Sequence, residues 1–234
     1  QPDGAVDVAG YTPLHWACAR YEHPLAFGDV TVDLALTGEW RPLAGIPDRD
    51  PKLALIRALL AHGANLEASV TRPATGAGGF QGNSMRAGAT PYFVAAMAGD
   101  VEVMRLLLAN GANPLVRSKE ASTVLMGAIL GGNAFSARRV TEQDRITAIE
   151  VALETGNDVE AQDETGYRAM HAAAAAEFHQ VILFLLEQGA DLNPVTQSRR
   201  RTEGSGFVVI AGQSPLGIVE GTFLGGTYNE RPET

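Results

Sequence analysis

Apolar positions recur with helical spacing in two stretches that overlay without gaps. In 101–110, Val103, Met104, Leu107 and Leu108 fall at i, i+1, i+4 and i+5, one face of a helix. In 179–188, Val181, Ile182, Leu185 and Leu186 repeat the pattern. Each run ends in a glycine, Gly111 or Gly189, a residue suited to the left-handed turn that closes a helix. An alanine-rich stretch precedes each run, small enough for two helices to approach closely. Ahead of the first, Thr90 offers a capping oxygen and Pro91 suits the first helical position. The pattern predicts helix pairs near 90–110 and 168–188. Neither pair can bury its apolar face alone, so neighbours must stack on a shared core.

The overlay extends to 88–113 and 166–191, each ending in Gly-Ala-Asn or Gly-Ala-Asp. Near the start, Thr12-Pro13-Leu14-His15 followed by Ala17 gives the pattern T-P-L-H-x-A. On these residues the chain resembles the ankyrin-repeat family. The resemblance implies an all-α ankyrin-repeat solenoid of helix pairs, curving to the right, with strand confined to hairpin fingers between units. Five units start at Thr12, Thr90, Thr123, Arg168 and Ser214, and four end at Gly63, Gly111, Gly156 and Gly189. The whole chain, 1–234, reads as a single domain. Its units cover about 8–68, 86–118, 119–163, 164–209 and 210–234, the last one incomplete. Gln1 in place of Met, with no signal-peptide pattern, implies a processed product or an excised piece. The fifth unit stops at Thr234 before a second helix, so the array is expected to continue.

Some units depart from the family pattern. The third has Thr123-Val124-Leu125-Met126 and lacks both proline and histidine. The fourth starts with Arg168, and the fifth has Gly217 and Glu220 at positions expected to hold histidine and alanine. Weaker stacking is expected there. Four insertions lengthen the array. Two, at 21–50 and 133–144, lie inside units, and Pro24, Pro42, Pro47 and Pro51 break any long helix in the first. The other two, 69–87 and 194–211, fall where hairpin fingers belong. They share a Val-Thr start, arginines, a glycine- and serine-rich middle and one phenylalanine. Exposed loops on a rigid scaffold are where recognition usually sits.

Composition narrows the function. A net charge of −9 argues against nucleic acid and anionic lipid as partners. No apolar run is long enough to insert in a membrane. The single cysteine, Cys18, excludes an internal disulfide and a cysteine metal cage, and reads as a packed thiol. It fits a cytoplasmic and a periplasmic or secreted location equally. Sixteen arginines against two lysines, Lys52 and Lys119, read as the composition of a GC-rich genome and not as function. His15 and His171 read as turn histidines bonded to backbone, and Trp16 as core. His23, His62 and His179 form no ligand spacing. The glycine-rich 75–82 lacks the Gly-Lys-Ser/Thr ending of a phosphate loop. No catalytic, metal or cofactor residue is expected.

The resemblance therefore implies a monomeric, non-catalytic module for a protein partner, binding through turn tips, concave helix face and extended fingers. By alignment the exposed turn positions are Arg86, Ala87 and Ala89, then Lys119, Glu120 and Ser122, then Glu164, Thr165 and Tyr167. On the fingers Arg72, Phe80, Arg199, Arg200 and Arg201 are the candidate contacts, the first two on 69–87 and the arginine triplet on 194–211. The alternative is an accessory or spacer domain of a larger bacterial protein with a separate catalytic or redox domain.

Overall fold

The computed structural model describes residues 10–19, 49–71, 87–131, 141–198, 200–201, 208–209 and 211–220. Among the described residues, four helix pairs and one single helix follow in order. They are α1 (Pro13–Cys18) with α2 (Arg49–Ala61), α3 (Pro91–Met97) with α4 (Val101–Ala109), α5 (Val124–Leu130) with α6 (Glu142–Glu154), α7 (Ala169–Ala175) with α8 (His179–Glu187), and α9 (Pro215–Glu220). The first helices stack as one layer, α1 on α3, α3 on α5, α5 on α7 and α7 on α9. The second helices form the other layer, with α4 against α6 and α6 against α8. Among the described residues, regular strand is confined to a hairpin of β1 (Arg200–Arg201) and β2 (Val208–Val209), inside the expected finger 194–211.

Local chemistry sets the helix starts. Thr12, Thr90 and Thr123 each accept a backbone N–H three residues on, from His15, Phe93 and Met126. The third unit keeps this cap although it lacks the proline. Asp100 and Thr141 cap α4 and α6 in the same way. Phe178 has no side chain to cap α8; Glu142 reaches over from α6, its Oε2 accepting from Gln180 N at 2.7 Å.

Two expected boundaries move. Pro51 lies in the first turn of α2, where its missing N–H costs nothing, so it does not break that helix. Residues 141–144, expected in an insertion, are the capped start of α6.

The core runs unbroken through the stack. Leu107 and Leu185 are fully buried, as the periodicity implied, with Ile56, Met104, Leu125, Ile149 and Met170. Charge is buried too. Lys52 Nζ lies 2.9 Å from Asp100 Oδ2, each side chain 6% exposed, and also donates to Ala19 O at 3.3 Å. The pair ties α2 to the start of α4. Arg145, wholly buried, donates through Nη1 to Met97 O (3.0 Å) and Ala128 O (2.6 Å), bracing the ends of α3 and α5.

Candidate partner-binding surface

The turns between units form a row joined by backbone hydrogen bonds. Lys119 N–H donates to Ala87 O (2.7 Å), Glu164 N–H to Glu120 O (3.3 Å) and Gln197 N–H to Thr165 O (2.7 Å). Each turn is also closed on itself. Ser118 N–H donates to Ser122 O (3.0 Å) and Asp163 N–H to Tyr167 O (2.9 Å). Val70 N–H donates to Ala89 O (2.9 Å) and Thr196 N–H to Gln213 O (3.0 Å), closing the bases of the two long fingers. Side chains lock the turns further. Asp163 Oδ1 accepts from Thr165 N and Oγ1 (both 2.7 Å) and from Tyr167 N (3.0 Å). Arg117 Nη1 donates to Ala121 O and Gln162 O, bridging two turns.

This row places the expected contacts unequally. Lys119 and Glu164 are exposed at the tips, with Lys119 Nζ donating to Thr71 O at 2.7 Å. Glu120 is half-buried. Tyr167 is buried, against expectation, its ring stacked on His171 at 5.1 Å. Ala89, Ser122 and Thr165 are buried likewise. The register explains it: the residue before each unit start, Tyr11, Ala89, Ser122 or Tyr167, turns inward, while in the third and fourth units the residue three places earlier, Lys119 or Glu164, stands at the tip. Arg72, Phe80, Arg86 and Arg199 lie outside the described residues. For Arg200 and Arg201 only the backbone of β1 is described.

The concave helix face is also reduced. Every residue of α3 is buried, and so are six of the seven residues in each of α5 and α7. Among the described residues, the accessible surface lies on the turn tips and the outer helices, and α9 adds Leu216 and Val219. Residues 141–191 carry eleven acidic side chains and two arginines, a net −9 that equals the charge of the whole chain. Both arginines are used internally. Arg145 is buried, and Arg168 pairs with Glu160.

His15 and His171 are buried or nearly so and bond to backbone. The fourth unit therefore keeps its histidine link to the next turn despite Arg168 at its start. Cys18 is buried, and that burial pushes its thiol up to about 12, with Lys52 pulling down and Asp100 pushing up. The thiol stays protonated at neutral pH, in line with a packed role. Among the described residues no helix is long and apolar enough to cross a membrane, and no cluster of His, Cys, Asp and Glu could hold a metal ion.

Helix pairs stacked in two layers, joined by a hydrogen-bonded row of turns, define a helical solenoid. Residues 93–196 match the family model of ankyrin repeats, in three copies, so this stretch carries ankyrin repeats. That match leaves out the first unit, although its Thr12–His15 motif is the most complete in the chain. The family typically mediates protein–protein contact and is typically non-catalytic. No curated protein matches the chain.

Proposed function

We propose that the chain is a non-catalytic protein-binding module that holds its partner with the turn tips and the two long fingers. The cross-unit bonding of the turns supports this reading. It sets Lys119, Glu164 and Gln197 along one edge before any partner arrives, so little conformational entropy is lost on binding. Arg72, Phe80 and Arg86 on one finger and Arg199, Arg200 and Arg201 on the other supply residue types common at binding hot spots. Tyr167 drops out of this surface because it is buried, and α3, α5 and α7 offer little. The acidic stretch 141–191 favours a partner with a cationic face.

Photo-crosslinking side chains placed at positions 119, 164 and 150, in the whole chain and in lysate of the source, test the reading. The same partner should crosslink from 119 and 164 and not from 150 on the outer helix α6. Crosslinking from 150 alone would move the site to the convex side. No partner from any position would favour the accessory or spacer reading.

A further inference from the structure

The two long fingers share one feature that the other turns lack. His15 Nδ1 accepts the Thr12 N–H at 3.1 Å and lies 2.9 Å from Thr12 Oγ1. A backbone N–H can only donate, so Nδ1 carries no proton and the ring's proton sits on Nε2. Nε2 donates it to Ala89 O at 3.2 Å. His171 repeats this, Nδ1 accepting the Arg168 N–H at 3.1 Å and Nε2 donating to Gln213 O at 3.1 Å. Ala89 O and Gln213 O are the acceptors that close the two long fingers, from Val70 N and Thr196 N. In the second and third units the same register position holds Phe93 and Met126, which have no ring nitrogen, and the turns that follow are short. Histidine thus stands in the units whose next finger is lengthened.

We propose that these histidines make the bases of both long fingers acid-sensitive, so that protonation opens the Val70–Ala89 and Thr196–Gln213 closures while the intervening turns stay closed. A second ring proton would go on Nδ1, where it would face the backbone N–H of Thr12 or Arg168. The ring must then leave its seat, and Nε2 leaves the carbonyl with it. Around His171 stand Tyr167, stacked on the ring, the charged Arg168 and Asp163, and the carbonyls of Gln213 and Pro194. Burial is the largest influence and holds its pKa below the ordinary value of 6.5; Arg168 lowers it further, and Asp163 and the two carbonyls oppose. Around His15 stand Tyr11, edge-on at 5.7 Å, and Thr12. For His171 the unfolded ring binds the proton more readily. The seam is therefore at full strength above about pH 6.5 and weakens as the pH falls from there toward the lower folded value.

Amide hydrogen exchange on the whole chain at pH 7.5 and 5.0, corrected for intrinsic rates, tests this. Protection at Val70, Gly88, Thr196 and Gly212 should fall by roughly threefold or more. Ser118, which closes a turn without histidine, should keep its protection. His171→Gln should abolish the loss at Thr196 and Gly212 and preserve it at Val70 and Gly88. Equal loss at Ser118, or loss at Thr196 that persists in the variant, overturns the proposal. If the variant does not fold, nitrogen NMR of the imidazoles in the unaltered chain decides. A proton on His171 Nδ1 at pH 7.5, or a ring that titrates with no change at Thr196 and Gly212, also overturns it.

Discussion

Phe93 and Gly127 face each other across the seam between α3 and α5. A Cβ on Gly127 would stand 2.7 Å from Cε1 of the phenylalanine ring and 3.1 Å from its Cζ. Phe93 occupies the position that holds histidine in the first and fourth units, and it is fully buried. The larger ring fits because the helix across from it gives up its side chain.

Gly127→Ala should therefore destabilise the fold. A mid-helix alanine gains up to about 1 kcal/mol in propensity, but overpacking a closed core costs about 1–3 kcal/mol. Phe93→Leu makes room for the methyl. The double variant Phe93→Leu with Gly127→Ala should lose less than the sum of the two single changes, by about 0.5 kcal/mol or more in a urea-unfolding cycle. Strict additivity would mean the two residues do not share that space.

Ala121 sits at φ 60°, where the other four units have glycine. A left-handed alanine is strained by about 1–2 kcal/mol, part of which glycine returns as extra freedom in the unfolded chain. Ala121→Gly should raise stability by about 0.5–1 kcal/mol. The reverse change, Gly88→Ala, should cost about 1 kcal/mol or more, because φ is 86° and the new Cβ would lie 2.8 Å from Lys119 N. Thermal unfolding of the two variants checks both signs.

The parts of this fold that sequence reveals are those written in local spacing. Leu107 and Leu185 lie inside because their neighbours at i−4 and i+1 set one apolar face. Thr12, Thr90 and Thr123 cap because the N–H they accept is three residues away. What stays hidden depends on distant parts of the chain. Lys52 looks like a solvent residue on a helix, and its partner Asp100 is 48 residues on. Arg145 reads as a surface cation until Met97 and Ala128 are seen to offer it their carbonyls. Tyr167 looks like an exposed turn residue because turns are usually polar and outward. Only the packing of His171 beneath it, and of Asp163 beside it, turns the ring inward.

Leu115 marks a gap in a ladder. Glu67 Oε1 accepts Asn113 N at 2.9 Å, and Glu160 Oε1 accepts Asp191 N at 2.9 Å, each joining the loop after one helix pair to the loop after the next. Both glutamates come four residues after the closing glycine. In the second unit that position is Leu115, and it is exposed. Leu115→Glu places a carboxylate where it can accept the N–H of Asp158. The expected gain is about 0.5–1.5 kcal/mol, the net worth of one such bond. A raised urea midpoint at unchanged slope is the signature. No change would mean that the second and third loops are set differently from the other two pairs.

Removing Lys52 should open the first seam. Asp100 would be left with a buried charge lacking its ammonium partner, although its Oδ1 still accepts Val103 N at 3.2 Å to cap α4. Breaking one side of such a pair costs about 3–5 kcal/mol. Replacing both charges, as Lys52→Met with Asp100→Asn, keeps an oxygen for the cap and should recover most of that loss. Cys18 reports the opening directly. It is the chain's one cysteine, fully buried, with its thiol pushed up to about 12, so a thiol reagent at pH 8 reacts only when α1 lifts away. Labelling should be slow in the unaltered chain, much faster in Lys52→Ala and near the original rate in the double variant. Fast labelling of the unaltered chain would show that this seam is open without any change to the ion pair. Equal rates in all three would show that the pair does not hold α1 and α2 against the rest of the stack.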